Sequence, residues 1–233
     1  MVPSYPIVLA ANRDELRERQ GTPPRQVTRD IWAGIDPKAG GTWLGVNSQG
    51  RVVAVANRRS PVAPDPNAPS RGLLCLSSLQ EEKDSRLRDK LEQQTREQSY
   101  NPFNSLVADR AKAWTATYSN STLELKNLDP GIHIIANTLP NNRDDPKITR
   151  GMMLLSRPNN LDSGLQMLKK VCCDHGTRAE TEDAICIHGS QDGTLSSTVL
   201  AIHEVDFTSS RLEHAQGNPC QSEYRDYADL LRL

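Results

Sequence analysis

Short apolar runs separated by polar, turn-forming segments dominate the first part of the chain. Residues 7–11 form a continuous apolar run that predicts a buried strand, and the polar residues 12–15 are expected to end it. The polar stretch from there to about residue 29 predicts a surface loop. Residues 42–46 and 51–57 flank a four-residue turn and predict a β-hairpin.

Helical patterns follow in three places. Residues 73–79 predict a buried helix, and residues 81–98 predict a charged surface helix with a narrow apolar stripe. Residues 160–173 have apolar side chains at helical spacing, with Asp162 near the start and two lysines near the end.

The remaining apolar segments are short and β-like, and turn residues separate them. They predict strands at residues 105–108, 113–118, 122–125, 132–136, 184–187, 197–205 and 210–214. This order of elements favours an α+β fold with antiparallel sheets over a regular βαβ alternation. A length of 233 residues predicts a single domain over residues 1–233.

Composition and charge exclude several classes of partner. With 28 basic and 29 acidic residues, the net charge of −1 gives no electrostatic case for binding nucleic acid or an anionic membrane. No apolar run approaches the ~20 residues of a membrane span, and the N-terminus lacks the basic region of a secretory signal. The 5 cysteines are unevenly spaced and predict no disulfide framework. These features together predict a reduced, soluble, cytoplasmic protein.

One amide, one guanidinium and two carboxylates follow the first predicted strand. Asn12 can donate to a developing oxyanion, Arg13 can hold a substrate carboxylate or activate a nucleophile, and Asp14 can accept from an amine. A strand end capped by a salt-bridged turn explains the same residues. Composition alone favours that second explanation.

Two further patterns suit a binding site. The glycines of residues 40–45 allow a close backbone approach, although a tight turn with Trp43 as a core anchor explains them equally. Asn57 and Asn137 each follow a predicted strand, as Asn12 does. Asparagine ends strands because it favours turns, but three strand ends meeting at one sheet edge would build a donor-rich site.

The segment Ala-Ala-Asn-Arg-Asp-Glu at residues 10–15 resembles the signature of the NRDE family, also called the transport and Golgi organization family. Later blocks resemble the same family in the same order, over about residues 5–202. These blocks are Gly-Gly-Thr-Trp-Leu-Gly at 40–45, Asn57, Arg71-Gly72, Ile135-Ala136-Asn137, and Gly-Thr-Leu-Ser-Ser-Thr-Val-Leu at 193–200.

The resemblance implies an N-terminal-nucleophile-hydrolase-like αββα sandwich of two antiparallel sheets flanked by helices. Relatives of that fold include cysteine acylases, in which an N-terminal Cys uses its own α-amine as the base. By this resemblance, Arg13 and Asp14 would tune the nucleophile, and Asn57 and Asn137 would stabilise the oxyanion. The expected substrate-binding residues are Asn12, Glu15, Gly41, Thr42, Trp43 and Ser196.

Two departures from the family pattern bear on catalysis. Family members usually begin Met-Cys and have a strand before the Asn-Arg-Asp-Glu strand, whereas this sequence has Val2 and is expected to lack that first strand. Leu195 replaces the family's arginine in the late block, which weakens a substrate role for that position. Three explanations compete: a start assigned too late, a truncated non-catalytic member, or a family that never needed the nucleophile. Because losing a strand would expose a sheet edge, we favour the first.

Residue types that suit zinc or haem recur in the second half of the chain. Cys173 and His175 are two apart at a predicted helix end, so they would not share a helical face. Cys186 and His188 alternate on a predicted strand, which packing explains equally. We therefore predict no metal site and no cofactor.

Three function classes remain open. The first is an amide or thioester hydrolase, provided that a Cys precedes the first residue. The second is a non-catalytic protein that binds or carries a small amphiphile such as haem or an acyl compound, because the resembling family is associated with Golgi organisation, haem trafficking and acyl-lipid metabolism. The third is an interaction module. The sequence as it stands favours the second.

Overall fold

The computed structural model describes residues 2–177 and 183–232 as two β-sheets with helices on their outer faces. The strands are β1 (Ile7–Leu16), β2 (Arg25–Thr28), β3 (Ile31–Ala33), β4 (Leu44–Asn47), β5 (Val52–Asn57), β6 (Phe103–Ala108), β7 (Ala113–Ser119), β8 (Thr122–Leu128), β9 (Asp192–Ile202), β10 (Arg211–Gln216) and β11 (Arg225–Asp226). The helices are α1 (Arg71–Leu79), α2 (Asp84–Glu97), α3 (Pro146–Leu154) and α4 (Leu161–Cys172), with short 3-10 turns at Phe207–Ser209 and Ala228–Arg232.

Every strand pair is antiparallel. The seven-stranded sheet runs in chain order from β2 to β8, and the four-stranded sheet has the order β1, β9, β10, β11. Strand β1 therefore forms one edge of the smaller sheet. Along β1, Ile7 and Leu9 pack toward the larger sheet, whereas Val8 and Ala10 pack toward Leu165 of α4. This alternation places β1 between two layers.

The outer face of the larger sheet is covered by α1 and α2. Leu79 of α1 and Leu87 of α2 are fully buried there against Phe103 and Trp114 of the sheet. Helix α2 has few apolar residues, and its leucines form the narrow buried stripe that the sequence predicts. The order is helices, sheet, sheet, helix, so the predicted αββα sandwich is confirmed.

The first predicted strand is longer than its apolar run. Residues 12–16 continue β1 instead of ending it, with a bulge between Arg13 and Asp14. The polar side chains are accommodated because alternate residues point to opposite faces of the strand. Strand β2 was predicted as loop, but its exposed polar residues form an edge strand beside β3.

Two predicted strands are absent. Residues 132–136 and 184–187 are irregular, because their backbone groups bond to side chains and loops rather than to a neighbouring strand. For example, the Ile134 amide donates to the side chain of Asn141, and the Cys186 amide donates to the Asp174 carbonyl. Helix α3 was not predicted; Asp145 caps its first turn and Pro146 starts it.

Within residues 2–177 and 183–232, no helix combines the length and the apolar character that a bilayer-spanning segment requires.

Candidate functional site

A cleft of about 1760 Å³ follows β1, and its lining comes from both sheets and from α4. Between the sheets it is lined by Leu9, Ala54 and Leu106, which are only partly buried. All of the predicted site residues except Ser196 line the cleft; they are Asn12, Arg13, Asp14, Glu15, Gly41, Thr42, Trp43, Asn57 and Asn137. Ser196 is buried in β9 directly opposite Arg13.

Arg13 lies on the face of β1 that points toward the larger sheet. Its guanidinium carbon lies 4.6 Å from the centre of the Trp43 ring, and its Nη1 donates to the Arg19 carbonyl at 2.7 Å. The residue is only 7% exposed, and burial lowers the pKa of its guanidinium. An arginine remains charged at neutral pH even so, which makes Arg13 a poorly hydrated cation at the cleft wall.

The carboxylates nearest to Arg13 are bound to another arginine. Arg19 contacts Asp36 at 2.5 Å and Glu15 at 3.2 Å. These contacts raise the pKa of Arg19, although its partial burial opposes them. Glu15 and Asp36 are thus already paired, and they stabilise Arg13 only at longer range.

A second guanidinium lines the same cleft. Arg71 is the first residue of α1, where its Nη1 donates to the Pro102 carbonyl at 3.1 Å. Burial lowers the pKa of Arg71, and its charge interacts with Glu15 and Arg19, as that of Arg13 does. Among the residues that the structure describes, no carboxylate oxygen lies within 4.0 Å of the charged groups of Arg13 or Arg71.

A close backbone contact holds Arg71 at the cleft. The Thr42 amide donates to the Gly72 carbonyl at 3.0 Å. A Cβ on Gly41 would lie only 2.2 Å from the Gly72 carbonyl carbon, so no larger residue fits this contact. The glycines of the Gly-Gly-Thr-Trp-Leu-Gly block thereby position α1, and the same block supplies Trp43.

Asn12 and Asp14 point to the opposite face of β1, toward α4. Both amide protons of Asn12 are taken by backbone carbonyls, those of Cys172 at 2.9 Å and Ile185 at 3.0 Å. Its buried Oδ1 has no partner among the described residues. Asp14 accepts from Thr194 Oγ1 at 2.6 Å and from Lys147 at 3.4 Å. These contacts join β1 to the helical layer.

Asn57 and Asn137 meet at the other side of the cleft. Asn137 Nδ2 donates to the Asn57 carbonyl at 2.8 Å, and the Arg59 amide donates to the Asn137 carbonyl. The three asparagines that were predicted to end strands therefore do not converge on one point. Two of them meet, and Asn12 is directed to α4.

The thiol that lines the cleft is poorly suited to nucleophilic attack. Cys172 is buried at the end of α4, and burial raises its pKa to about 11. A thiol with that pKa is protonated at neutral pH, and the thiolate is the reactive form.

The sequence matches a known protein family. The sequence profile of the family described as Transport and Golgi organisation 2 matches residues 1–213. The chain is 36% identical over 116 residues to the "Transport and Golgi organization 2 homolog" of Mus musculus, and 34% identical over 114 residues to the Bos taurus homolog. Each match covers 46% of this chain and 40% of the relative, so the matched segment spans less than half of those proteins.

A solved structure shares the fold. The "Caenorhabditis elegans N-acylethanolamine-hydrolyzing acid amidase (NAAA) ortholog" superposes with a TM-score of 0.57 at 14% identity, covering 83% of this chain and 86% of that one. The fold is thus the N-terminal-nucleophile-hydrolase-like αββα sandwich. The chain itself belongs to the Transport and Golgi organisation 2 family.

Arg71 was not among the predicted site residues. The sequence did contain a signal for it, because Arg71-Gly72 is one of the blocks that resemble the family. The cleft geometry gives that block a physical reason: Gly72 receives Gly41, and Arg71 is brought beside the charges of Arg19 and Glu15.

Proposed function

We propose that the cleft binds a small amphiphile, with an anionic head group at Arg13 and Arg71 and an apolar body between the sheets. The observation that supports this proposal is the pair of partly desolvated guanidiniums without a bound carboxylate. A buried cation without a counter-ion is costly, so a ligand anion that pairs with both offsets that cost. Acyl-CoA, fatty acid and haem all combine such a head group with an apolar body.

The cleft wall supplies the complementary apolar surface. Leu9 and Ala11 of β1 face Ala54 and Leu106 of the other sheet, and all four remain partly exposed. Apolar surface that a ligand removes from water there contributes about 25 cal/mol per Å². An apolar tail placed there would complete the core between the sheets.

Hydrolysis of an acyl compound is the alternative function for the same cleft. It requires an activated nucleophile, and the raised pKa of Cys172 argues against that thiol. The described residues of the cleft thus favour binding over catalysis. Release of free fatty acid from an acyl-CoA would favour the alternative.

Isothermal titration of the protein with palmitoyl-CoA, and separately with haem, tests the proposal. We expect saturable binding of at least one probe, and a loss of about tenfold or more in affinity in Arg13→Gln and in Arg71→Gln, because a hydrogen bond to a charged group contributes about 1.5–3 kcal/mol. Arg96→Gln is the matched control, since the Arg96 side chain is 77% exposed on α2. Unchanged affinity in both cleft variants, with unchanged folding, would overturn the proposal.

A further inference from the structure

Two histidines and two cysteines converge beyond the C-terminal end of α4. They come from three separate loops: His175 follows α4, Cys186 and His188 precede β9, and Cys220 follows β10. One nitrogen or sulfur atom from each side chain lies within 4.8 Å of the corresponding atoms of the other three. Cys186 is fully buried, and the other three are partly buried.

Four of the six distances between these atoms match the edges of a zinc tetrahedron. Zn–S bonds of about 2.3 Å and Zn–N bonds of about 2.0–2.1 Å give edges of about 3.8 Å between two sulfurs and about 3.3 Å between two nitrogens. In the structure, the sulfurs of Cys186 and Cys220 are 3.7 Å apart, and the Nε2 atoms of His175 and His188 are 3.1 Å apart.

Two of the four mixed edges, both from His188, fit as well, and a ring nitrogen of His175 lies within 4.8 Å of both sulfurs. His188 Nε2 lies 3.2 Å from the Cys220 sulfur and 3.7 Å from the Cys186 sulfur. A tetrahedron with two sulfur and two nitrogen ligands requires about 3.5 Å for such edges. Four donors of this type and geometry favour zinc over harder cations, which prefer oxygen ligands.

Hydrogen bonds from neighbouring residues hold the loops that carry the four donors. The Ile187 amide, between Cys186 and His188, donates to Thr194 Oγ1 at 2.9 Å. Asn218, two residues before Cys220, donates to the carbonyls of Ile187 and Thr194 at 3.3 and 2.9 Å.

The strand of the cleft also holds the cluster. Asn12 binds the carbonyl of Ile185, next to Cys186, and Asp14 accepts from Thr194. The cluster is therefore supported by ordered backbone contacts, as metal-binding residues require.

The four donors lie outside the helix and the strand in which the sequence pattern placed some of them. Cys173 and His175 were expected at a helix end, but α4 ends at Cys172 and His175 lies in the following loop. Cys186 and His188 are likewise in a loop and not in a strand. Their partner Cys220 is 32 residues beyond His188 along the chain, so local spacing does not indicate it.

We propose that His175, Cys186, His188 and Cys220 bind one Zn²⁺ ion in a closed, structural Cys2His2 site. All four ligands come from the protein, which leaves no open position for a substrate. The ion would join the end of α4 to the loops that flank β9 and β10. It would thus stabilise the helical layer against which β1 packs.

Elemental analysis of the protein, purified under reducing conditions from zinc-containing medium, is the first test. We expect one zinc per chain, and expect Co²⁺ substitution to give the visible absorption of tetrahedral cobalt with thiolate ligands. Zinc-free protein should melt at a lower temperature and recover on addition of Zn²⁺ alone.

Variants distinguish this ligand set from its neighbours. Cys220→Ser and His188→Ala should lose stoichiometric zinc, whereas Cys173→Ser and His133→Ala should keep it. Should a ligand variant fail to fold, titration of zinc-free wild-type protein with Co²⁺ gives the same information.

Protein that contains no zinc and gives no cobalt spectrum overturns the proposal. A mass two hydrogens lower, from a Cys186–Cys220 disulfide in metal-free protein, also overturns it, as does zinc loss in Cys173→Ser but not in Cys220→Ser.

Discussion

The guanidinium of Arg13 lies 4.6 Å from the centre of the Trp43 ring, so that a residue of β1 in one sheet is held by a residue just before β4 in the other. The backbone around Gly21 and Gly34 packs against the edge of the same ring. The ring therefore has a fixed position, and it fixes the guanidinium in turn. A cation–π contact of this kind contributes about 0.5–2 kcal/mol.

Removing the ring should weaken ligand binding without removing the charge. In Trp43→Leu, Arg13 loses its positioning contact, and we expect the affinity for palmitoyl-CoA to fall by about two- to tenfold. Trp43→Phe retains an aromatic face and should lose less. Calorimetric titration of the two variants measures the difference; equal losses would contradict a cation–π contribution to binding.

The contact between Gly41 and Gly72 predicts a large effect of a single methyl group. Gly41→Ala places a Cβ 2.2 Å from backbone of Gly72, which must shift. Such overpacking typically destabilises by about 1–3 kcal/mol, so thermal unfolding should show a clear loss. Gly131→Ala is the control, because the nearest atom to its Cβ would be 3.8 Å away; a similar loss in both variants would contradict this explanation.

Asn12 should matter for stability through its amide protons. Asn12→Asp replaces a donor to two carbonyls, those of Cys172 and Ile185, with an acceptor. We expect a loss of about 1–3 kcal/mol or more in the free energy of unfolding, measured by urea denaturation at neutral pH. The same change at the exposed Asn67 should have little effect. An Asn12→Asp protein as stable as the parent would show that these hydrogen bonds do not form.

The burial of His214 predicts that the stability of the protein depends on pH. It is 1% exposed in β10, between Thr198 and Gln216, and burial lowers its pKa. The unfolded chain therefore binds a proton near pH 6.5 that the folded chain binds only at lower pH. The contribution of this residue is complete above about pH 6.5 and falls as the pH drops toward the folded pKa, by at most about 1.4 kcal/mol per pH unit.

The His214→Gln variant isolates that contribution. Its free energy of unfolding, followed from pH 7.5 to about pH 5, should decline less steeply than that of the parent. Parallel curves for the two proteins would contradict a lowered pKa of His214.

The pattern of apolar residues along the chain correctly predicted those helices and strands that have a clear apolar face. The runs that became β5 and α4 were placed to within a residue or two, because each has a clear apolar face. Residues 132–136 and 184–187 were predicted as strands on the same kind of evidence. There, hydrogen bonds to the Asn141 side chain and the Asp174 carbonyl hold the backbone, and the pattern of apolar residues does not indicate such bonds.

Some features of the candidate site were likewise predictable from the sequence, and others depend on the fold. The polar end of β1 and the Trp43 block were identified from the sequence, since strand ends and glycines have local signals. The direction of each side chain was not, because it depends on the register of β1 against β9 and on the bulge after Arg13. The Cys2His2 cluster lies across three loops and emerges only when the chain is folded.

The most direct test of the proposed function compares two ligands that differ only in the charge of the head group. The affinities of palmitate and palmitamide for the wild-type protein should differ by about tenfold or more in favour of the carboxylate. In the double variant Arg13→Gln, Arg71→Gln, the two affinities should become equal. Equal affinities in the wild-type protein, or a preference that survives in the double variant, would contradict an anion site at these two arginines.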